Sequence, residues 1–124
     1  MFFKKLIKIL IDSYESLVLI SLAINGVQIS KIQCIKYPDG SLLIGDIEPF
    51  KKKRYYGKGY SSMMMNELLK YAFQNGVHTI RGNLSIVDSD HKERLHAFYR
   101  KHGFEIVQYS TPKDFYYGEV IKEL

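Results

Sequence analysis

Asn25-Gly26 stands between an apolar stretch, Leu17 to Ile24, and a second strand-like run, Val27 to Tyr37, and that arrangement permits little besides a β-hairpin. The first stretch, Leu-Val-Leu-Ile-Ser-Leu-Ala-Ile, is continuous and rich in β-branched residues, whose stiff side chains suit a pleated strand. Asn-Gly tolerates the positive φ angles of a tight hairpin turn. The second stretch alternates with a slip: Val27 and Ile29 are in one phase, Ile32 and Cys34 in the other. That predicts a bulge near Lys31. Pro38-Asp39-Gly40 reads as a turn and Leu42 to Ile47 as a third strand.

The period then changes. From Ser61 to Asn75, Met64, Met65, Leu68, Leu69 and Ala72 fall on one helical face, with Asn66, Glu67, Lys70 and Gln74 on the other, and Asn75-Gly76 ends the helix. His78 to Ser85 is again strand-like. Asp90 with Glu93 resembles a capping box, followed at helical spacing by Leu95, Phe98, Tyr99 and His102 up to Gly103. Phe104 to Tyr109 and Phe115 to Ile121 predict two closing strands around a turn containing Pro112. Phe3, Leu6, Ile7, Leu10 and Tyr14 recur at helical spacing and predict a short amphipathic helix before the hairpin. The expected fold is α/β (α+β-like), a mixed, largely antiparallel sheet flanked by helices, in one domain over residues 1–124.

Composition narrows the function. One cysteine, Cys34, allows neither an internal disulfide nor a Cys-based metal cluster, and suits a reducing cytoplasm, where the chain is expected to reside. The basic, apolar start is interrupted by Lys8, Asp12 and Glu15, and no run approaches the ~20 apolar residues of a membrane span, so no membrane partner is expected. His78, His91, His96 and His102 come without HExxH or paired-carboxylate spacing, so no metal is expected. The +5 net charge is concentrated in Lys51, Lys52, Lys53, Arg54 and Lys58, interleaved with Tyr55 and Tyr56. Such a run serves nucleic acid, a phosphorylated ligand or a solvated loop equally well.

Its neighbours favour the phosphorylated ligand. Gly57 and Gly59 lie between a strand and a helix, where a helix start leaves amide N–H groups without internal partners. Those amides and the helix dipole make an anion site, most naturally for a pyrophosphate. The dinucleotide and P-loop patterns both fail, lacking a third glycine and a Gly-Lys-Ser/Thr respectively.

Arg54-Tyr-Tyr-Gly57-Lys-Gly59 resembles the Arg/Gln-x-x-Gly-x-Gly/Ala signature of the GNAT-type N-acetyltransferases, and Leu95-His-Ala-Phe-Tyr99-Arg-Lys-His-Gly103-Phe104 resembles the second motif of that family. The signature can be set on Gly57 and Gly59, or on Gly59 and Ser61 with Tyr56 in the Arg/Gln place. The resemblance implies acetyl-CoA as co-substrate, an amine acceptor, and coenzyme contacts from Ile47, Arg54, Tyr55, Tyr56, Gly57, Lys58, Gly59, Tyr60, Ser61, Ser62, Asn83 and His91. It also implies Tyr99 as the acid near the coenzyme sulfur. Glu48 is the candidate base, with Asp46 beside it on the strand. Family members usually wall the acceptor side with a strand and two helices ahead of the hairpin. Only about fifteen residues stand there, so an open acceptor side, or one completed in a homodimer, is expected. The competing readings are an inactive acyl-CoA-binding regulatory module and a basic nucleic-acid-binding domain. Asp46, Glu48 and Glu67 interrupt the basic surface that the latter needs.

Overall fold

The computed structural model describes residues 5–124, without the side chain of Ser89. Its strands are β1 (Ile7–Tyr14), β2 (Leu17–Ile24), β3 (Val27–Lys36), β4 (Ser41–Ile47), β5 (Thr79–Ser85), β6 (Glu105–Lys113) and β7 (Tyr116–Glu123). Helix α1 (Tyr60–Gln74) joins β4 to β5, and α2 (Lys92–Lys101) lies between β5 and β6. The strands form one seven-stranded sheet, ordered β1-β2-β3-β4-β5-β7-β6 and antiparallel except where β4 meets β5. This is the mixed, largely antiparallel fold that the sequence predicts.

Asn25 (φ 51°) and Gly26 (φ 83°) turn the β2–β3 hairpin as expected. The slip in β3 is real but falls earlier than Lys31: Leu22 faces Ser30 while Ala23 faces Gln28, which leaves Ile29 as the extra residue. Pro112 does not make the final turn. It lies within β6, and the chain turns at Asp114-Phe115 with Asp114 at φ 55°. Asp90 does not cap α2 either. A 3₁₀ turn over Ile86–His91 leads into the helix, whose cap position is His91 without a side-chain cap hydrogen bond.

The largest departure is at the front, where residues 7–14 form an edge strand rather than a helix. Leu6, Leu10 and Tyr14 are spaced by four, which puts them on one face of a helix and equally on one face of a strand. The intervening Ile7, Ile9 and Ile11 alternate, as only a strand allows, and pack partly buried against the core. Asn25 ties the strand down, its side-chain Oδ1 accepting from the Leu6 amide at 2.9 Å and its own amide donating to the Leu6 carbonyl at 2.8 Å. Phe3 lies outside the described residues.

Val18, Ile20, Leu22, Ile32, Cys34, Leu42, Ile80 and Val120 are completely buried on one sheet face, together with Met64, Met65, Leu68 and Ala72 of α1. Each such aliphatic side chain contributes about 1.5–3 kcal/mol by leaving water. The two helices meet there: Lys101 and His102, at the end of α2, reach the Ser62 hydroxyl in the first turn of α1. The opposite face carries exposed Leu10, Leu17 and Ile35. β1 runs into β2 through Glu15-Ser16 alone, so no helix lies between them.

Candidate active site

The two parallel strands part company halfway along. β4 and β5 pair only through Ser41–Ile44 and Thr79–Gly82. Cys34 faces Ile44 and Gln33 faces Asp46, so Gly45 is an extra residue that bends β4. Beyond it β4 stays with β3, while Asn83 and Leu84 of β5 stay with Glu119 and Gly118 of β7. An opening results, edged by the backbone of Asp46 and Ile47 on one side and of Asn83 and Leu84 on the other. Unpaired strand edges of this kind can receive an extended ligand carrying amides of its own.

At the end of β4 the chain enters the glycine-rich loop and then α1. Gly57 (φ 69°) and Gly59 (φ 79°) occupy the left-handed region, and a Cβ on either would meet nothing within 4 Å. Conformation rather than space therefore requires glycine here. Gly59 is the cap residue of α1, and no side chain caps the helix. The first intrahelical bond is from the Met63 amide to the Gly59 carbonyl at 3.0 Å. The amides of Gly59, Tyr60, Ser61 and Ser62 thus have no acceptor within the helix. No acidic residue lies in the first turn. The loop is braced by Phe50, Tyr55, Tyr56 and Tyr60, whose rings approach at centroid distances of 6.2–6.4 Å, and Arg54 lies over the Tyr55 ring while donating to its hydroxyl at 3.0 Å.

Tyr99 points inward from α2, and its hydroxyl lies beside Gly82, where β5 leaves β4. Burial first, then the neighbouring Cys34, Asp88 and Tyr117, raises its pKa well above the ordinary phenol value. It stays protonated throughout the physiological range. Burial likewise pushes the Cys34 thiol up to about 12, so it is an inert core residue. Edge-to-face contacts with Phe98 and Phe104, at 5.6 and 5.3 Å, fix the Tyr99 ring.

The structure adds a pair that the sequence did not single out. Tyr117 is the extra residue where β7 shifts against Leu84 and Ser85, and its hydroxyl sits 2.8 Å from His96 Nε2. His96 is buried, and desolvation, then Arg100 and Lys92, lowers its pKa, favouring the neutral ring. The signal available in the sequence was His96 on the buried stripe of α2, three residues before Tyr99. Its partner depends on a bulge that no local pattern announces. His102 turns elsewhere, to the Ser62 hydroxyl at 3.0 Å.

The other expected residues divide into two groups. Glu48, Arg54 and Tyr55 line a cleft of about 700 Å³ with Lys5, Lys51 and Lys52 and with residues of the β2–β3 hairpin around Asn25. Glu48 is fixed there through its backbone, its amide donating to Lys31 and its carbonyl accepting from the Ser30 hydroxyl at 2.6 Å. Tyr99 is not among that cleft's lining residues. Asn83 is exposed on β5 beside the opening. His91 is exposed and its Nε2 lies 3.3 Å from Asp90. Among the described residues no three His, Cys, Asp or Glu side chains are grouped to hold a metal ion, and no helix is long and apolar enough to cross a membrane.

Solved structures share this architecture. The PaiA N-acetyltransferase from Thermoplasma acidophilum, in complex with coenzyme A, superposes over 88% of the chain with a TM-score of 0.69 at 16% identity; the chain spans 62% of that protein's length. A Bacillus subtilis acetyltransferase in complex with CoA matches over 95% of the chain and 99% of its own length, with a TM-score of 0.70 at 12% identity. Arabidopsis thaliana Naa50, in complex with the bisubstrate analogue CoA-Ac-MVNAL, matches over 86% of this chain and 72% of its own, with a TM-score of 0.66 at 21% identity. The fold is thus that of the acyl-CoA N-acyltransferases. Residues 5–104 match the model of the acetyltransferase (GNAT) family, and the chain belongs to that family. A search of curated proteins gave no match.

Proposed function

We propose that this protein transfers an acetyl group from acetyl-CoA to an amine of low basicity, such as a peptide α-amine. The observation that carries the reading is the start of α1: four amides without intrahelical acceptors, no acidic side chain, and a glycine cap, set beside a split in the sheet with Tyr99 at its apex. The pyrophosphate of the coenzyme would accept from those amides, each charge-assisted bond contributing about 1.5–3 kcal/mol. Its extended arm would run along the free edge of Asp46 and Ile47 and bring the thioester to Tyr99. Solved relatives of the same fold hold coenzyme A or a peptide-bearing bisubstrate analogue, which supports both halves of the reading.

The amine attacks the thioester carbonyl, the C–S bond breaks, and the nitrogen loses a proton. A full transfer from a phenol of pKa ~10 to a thiolate of pKa ~8.5 is already uphill by about 2 kcal/mol, and burial of Tyr99 adds to that. Tyr99 therefore acts by donating a hydrogen bond to the developing thiolate, and the proton that finally settles on sulfur comes from the amine. Freeing a lysine-type amine of pKa ~10.4 at pH 7 costs about 4–5 kcal/mol, against about 1 for an α-amine near 8. With Glu48 in a cleft rich in lysine, the weaker demand on a base favours the α-amine.

A thiol-release assay with acetyl-CoA across a panel of peptide α-amines, lysine side chains and small polyamines tests this. Turnover is expected with at least one α-amine peptide and to be greatest in that class. Thiol release only with polyamines would refute the acceptor class, and none with any amine would refute the activity.

A further inference from the structure

The two edges of the sheet are built differently. At one edge, β6 contains Pro112 and a register shift between Gln108 and Lys113, both of which spoil it for further pairing. At the other, β1 pairs with β2 in unbroken register over all eight residues, contains no proline, and leaves Leu6, Leu10 and Tyr14 at 57%, 58% and 72% exposure. Such an edge is a template for another strand.

The backbone says which residues would pair. Leu6 bonds to Asn25, so by the alternation of an antiparallel ladder Lys8, Leu10, Asp12 and Tyr14 also direct their amides and carbonyls toward β2. Ile7, Ile9, Ile11 and Ser13 direct theirs outward. A second β1 laid antiparallel must match outward residues with outward residues, which leaves few central registers. Centring the pair on Ile9 sets Lys8 against Leu10 and Leu6 against Asp12. Centring it on Ile11 sets Leu10 against Asp12 and Lys8 against Tyr14. Centring it on Leu10 sets Lys8 against Asp12 at both ends, Ile9 against Ile11, and Leu6 against Tyr14. Of the three, only this last register matches charge with opposite charge, and it pairs apolar with apolar everywhere but at Ile7 and Ser13.

We propose that the partner of this edge is a second copy of the chain, joined β1 to β1 about a two-fold axis through Leu10 into one continuous sheet. The interface is isologous, so it closes on itself and leaves the two blocked β6 edges outermost. Lys8 and Asp12 meet as close, non-hydrogen-bonded pairs, where cross-strand side chains interact most strongly. The inference stands independently of the catalytic reading.

Sedimentation of the full chain is the test, with circular dichroism to confirm that each variant is folded. The wild type is expected to sediment at twice its 14.5 kDa mass. Lys8→Asp and Asp12→Lys, each placing like charges opposite, should each raise the dimer dissociation constant about 10-fold or more. The doubly exchanged chain should regain wild-type association, and an equimolar mixture of the two single variants should form mixed dimers. Ile9→Pro, which removes an outward amide but none directed at β2, should leave a folded monomer. A wild type that is monomeric at every concentration would overturn the proposal. So would association indifferent to the charge variants, a double exchange without rescue, or assemblies larger than a dimer.

Discussion

Two strand-to-helix junctions in this molecule have opposite electrostatics. The junction from β4 into α1 presents four amides without helical acceptors, two glycines at positive φ, no acidic residue in the first turn, and Lys58 and Arg54 nearby. The junction from β5 into α2 also lacks a side-chain cap, but Glu93 lies in its first turn and Asp88 and Asp90 precede it. Both helix starts carry the same partial positive charge from aligned peptides. At α2 the chain supplies the compensating negative charge itself; at α1 it leaves that to something else. On the proposed function the helices would contribute different things, α1 its N-terminal backbone and α2 a side chain, Tyr99, near its end.

That contrast can be broken most severely at Gly59. Gly59→Val forces a β-branched residue into the left-handed region and should weaken coenzyme A binding by about 100-fold or more, read by calorimetry. With open space around the site, the fold itself should survive. Unchanged affinity in a folded variant would show that the anion binds elsewhere. Tyr99→Phe, measured with a confirmed acceptor, should lower kcat about 10–100-fold with coenzyme affinity kept, because only the hydroxyl is lost. Tyr99→Ala should instead destabilise by about 3–5 kcal/mol as a buried ring disappears. Full turnover by the Phe variant would remove Tyr99 from the chemistry.

Making the two junctions alike is a gentler test. Ser61→Glu gives α1 the first-turn acid that α2 already has, and should slightly stabilise the free protein while weakening coenzyme A about 10-fold. Glu93→Gln should leave coenzyme affinity within about twofold. The reverse pattern of sensitivity would exchange the roles of the two helices. The smallest effect concerns the histidines of α2. Burial first, then Arg100 and Lys92 for His96 and Lys101 and Lys122 for His102, lowers both pKa values below the ordinary 6.5. As pH falls through 6.5 the unfolded chain takes up protons that the fold resists, so stability is full above that pH and declines below it. Tm should therefore fall between pH 7 and pH 5, and fall less in His96→Asn. A Tm that rises on acidification would contradict the burial argument.

Local signals in the sequence were legible and distant ones were not. The Asn25-Gly26 hairpin, the apolar stripe of α1 and the glycine loop each depend on a few neighbouring residues, and each forms as the pattern predicts. The first strand was hidden because Leu6, Leu10 and Tyr14 satisfy both periods at once, and pairing with β2 decides between them. Pro112 read as a turn because proline cannot donate to a ladder, yet on the outer edge of the sheet the lost donor costs little. The split of β4 from β5 was legible only as Gly45 inside a strand. Tyr117 was not legible at all, because its approach to His96 depends on a bulge in β7 and on the packing of α2.

The central claim is that the first turn of α1, and not that of α2, receives the phosphates. Amide chemical shifts of the isotope-labelled protein, followed as coenzyme A is added, address it residue by residue. The largest changes are expected on the amides of Gly59, Tyr60, Ser61 and Ser62, while those of Lys92, Glu93 and Arg94 should barely move. Adenosine, which lacks the pyrophosphate, should leave the first group nearly unperturbed. Dominant changes at the start of α2, or equal responses to both ligands, would contradict it.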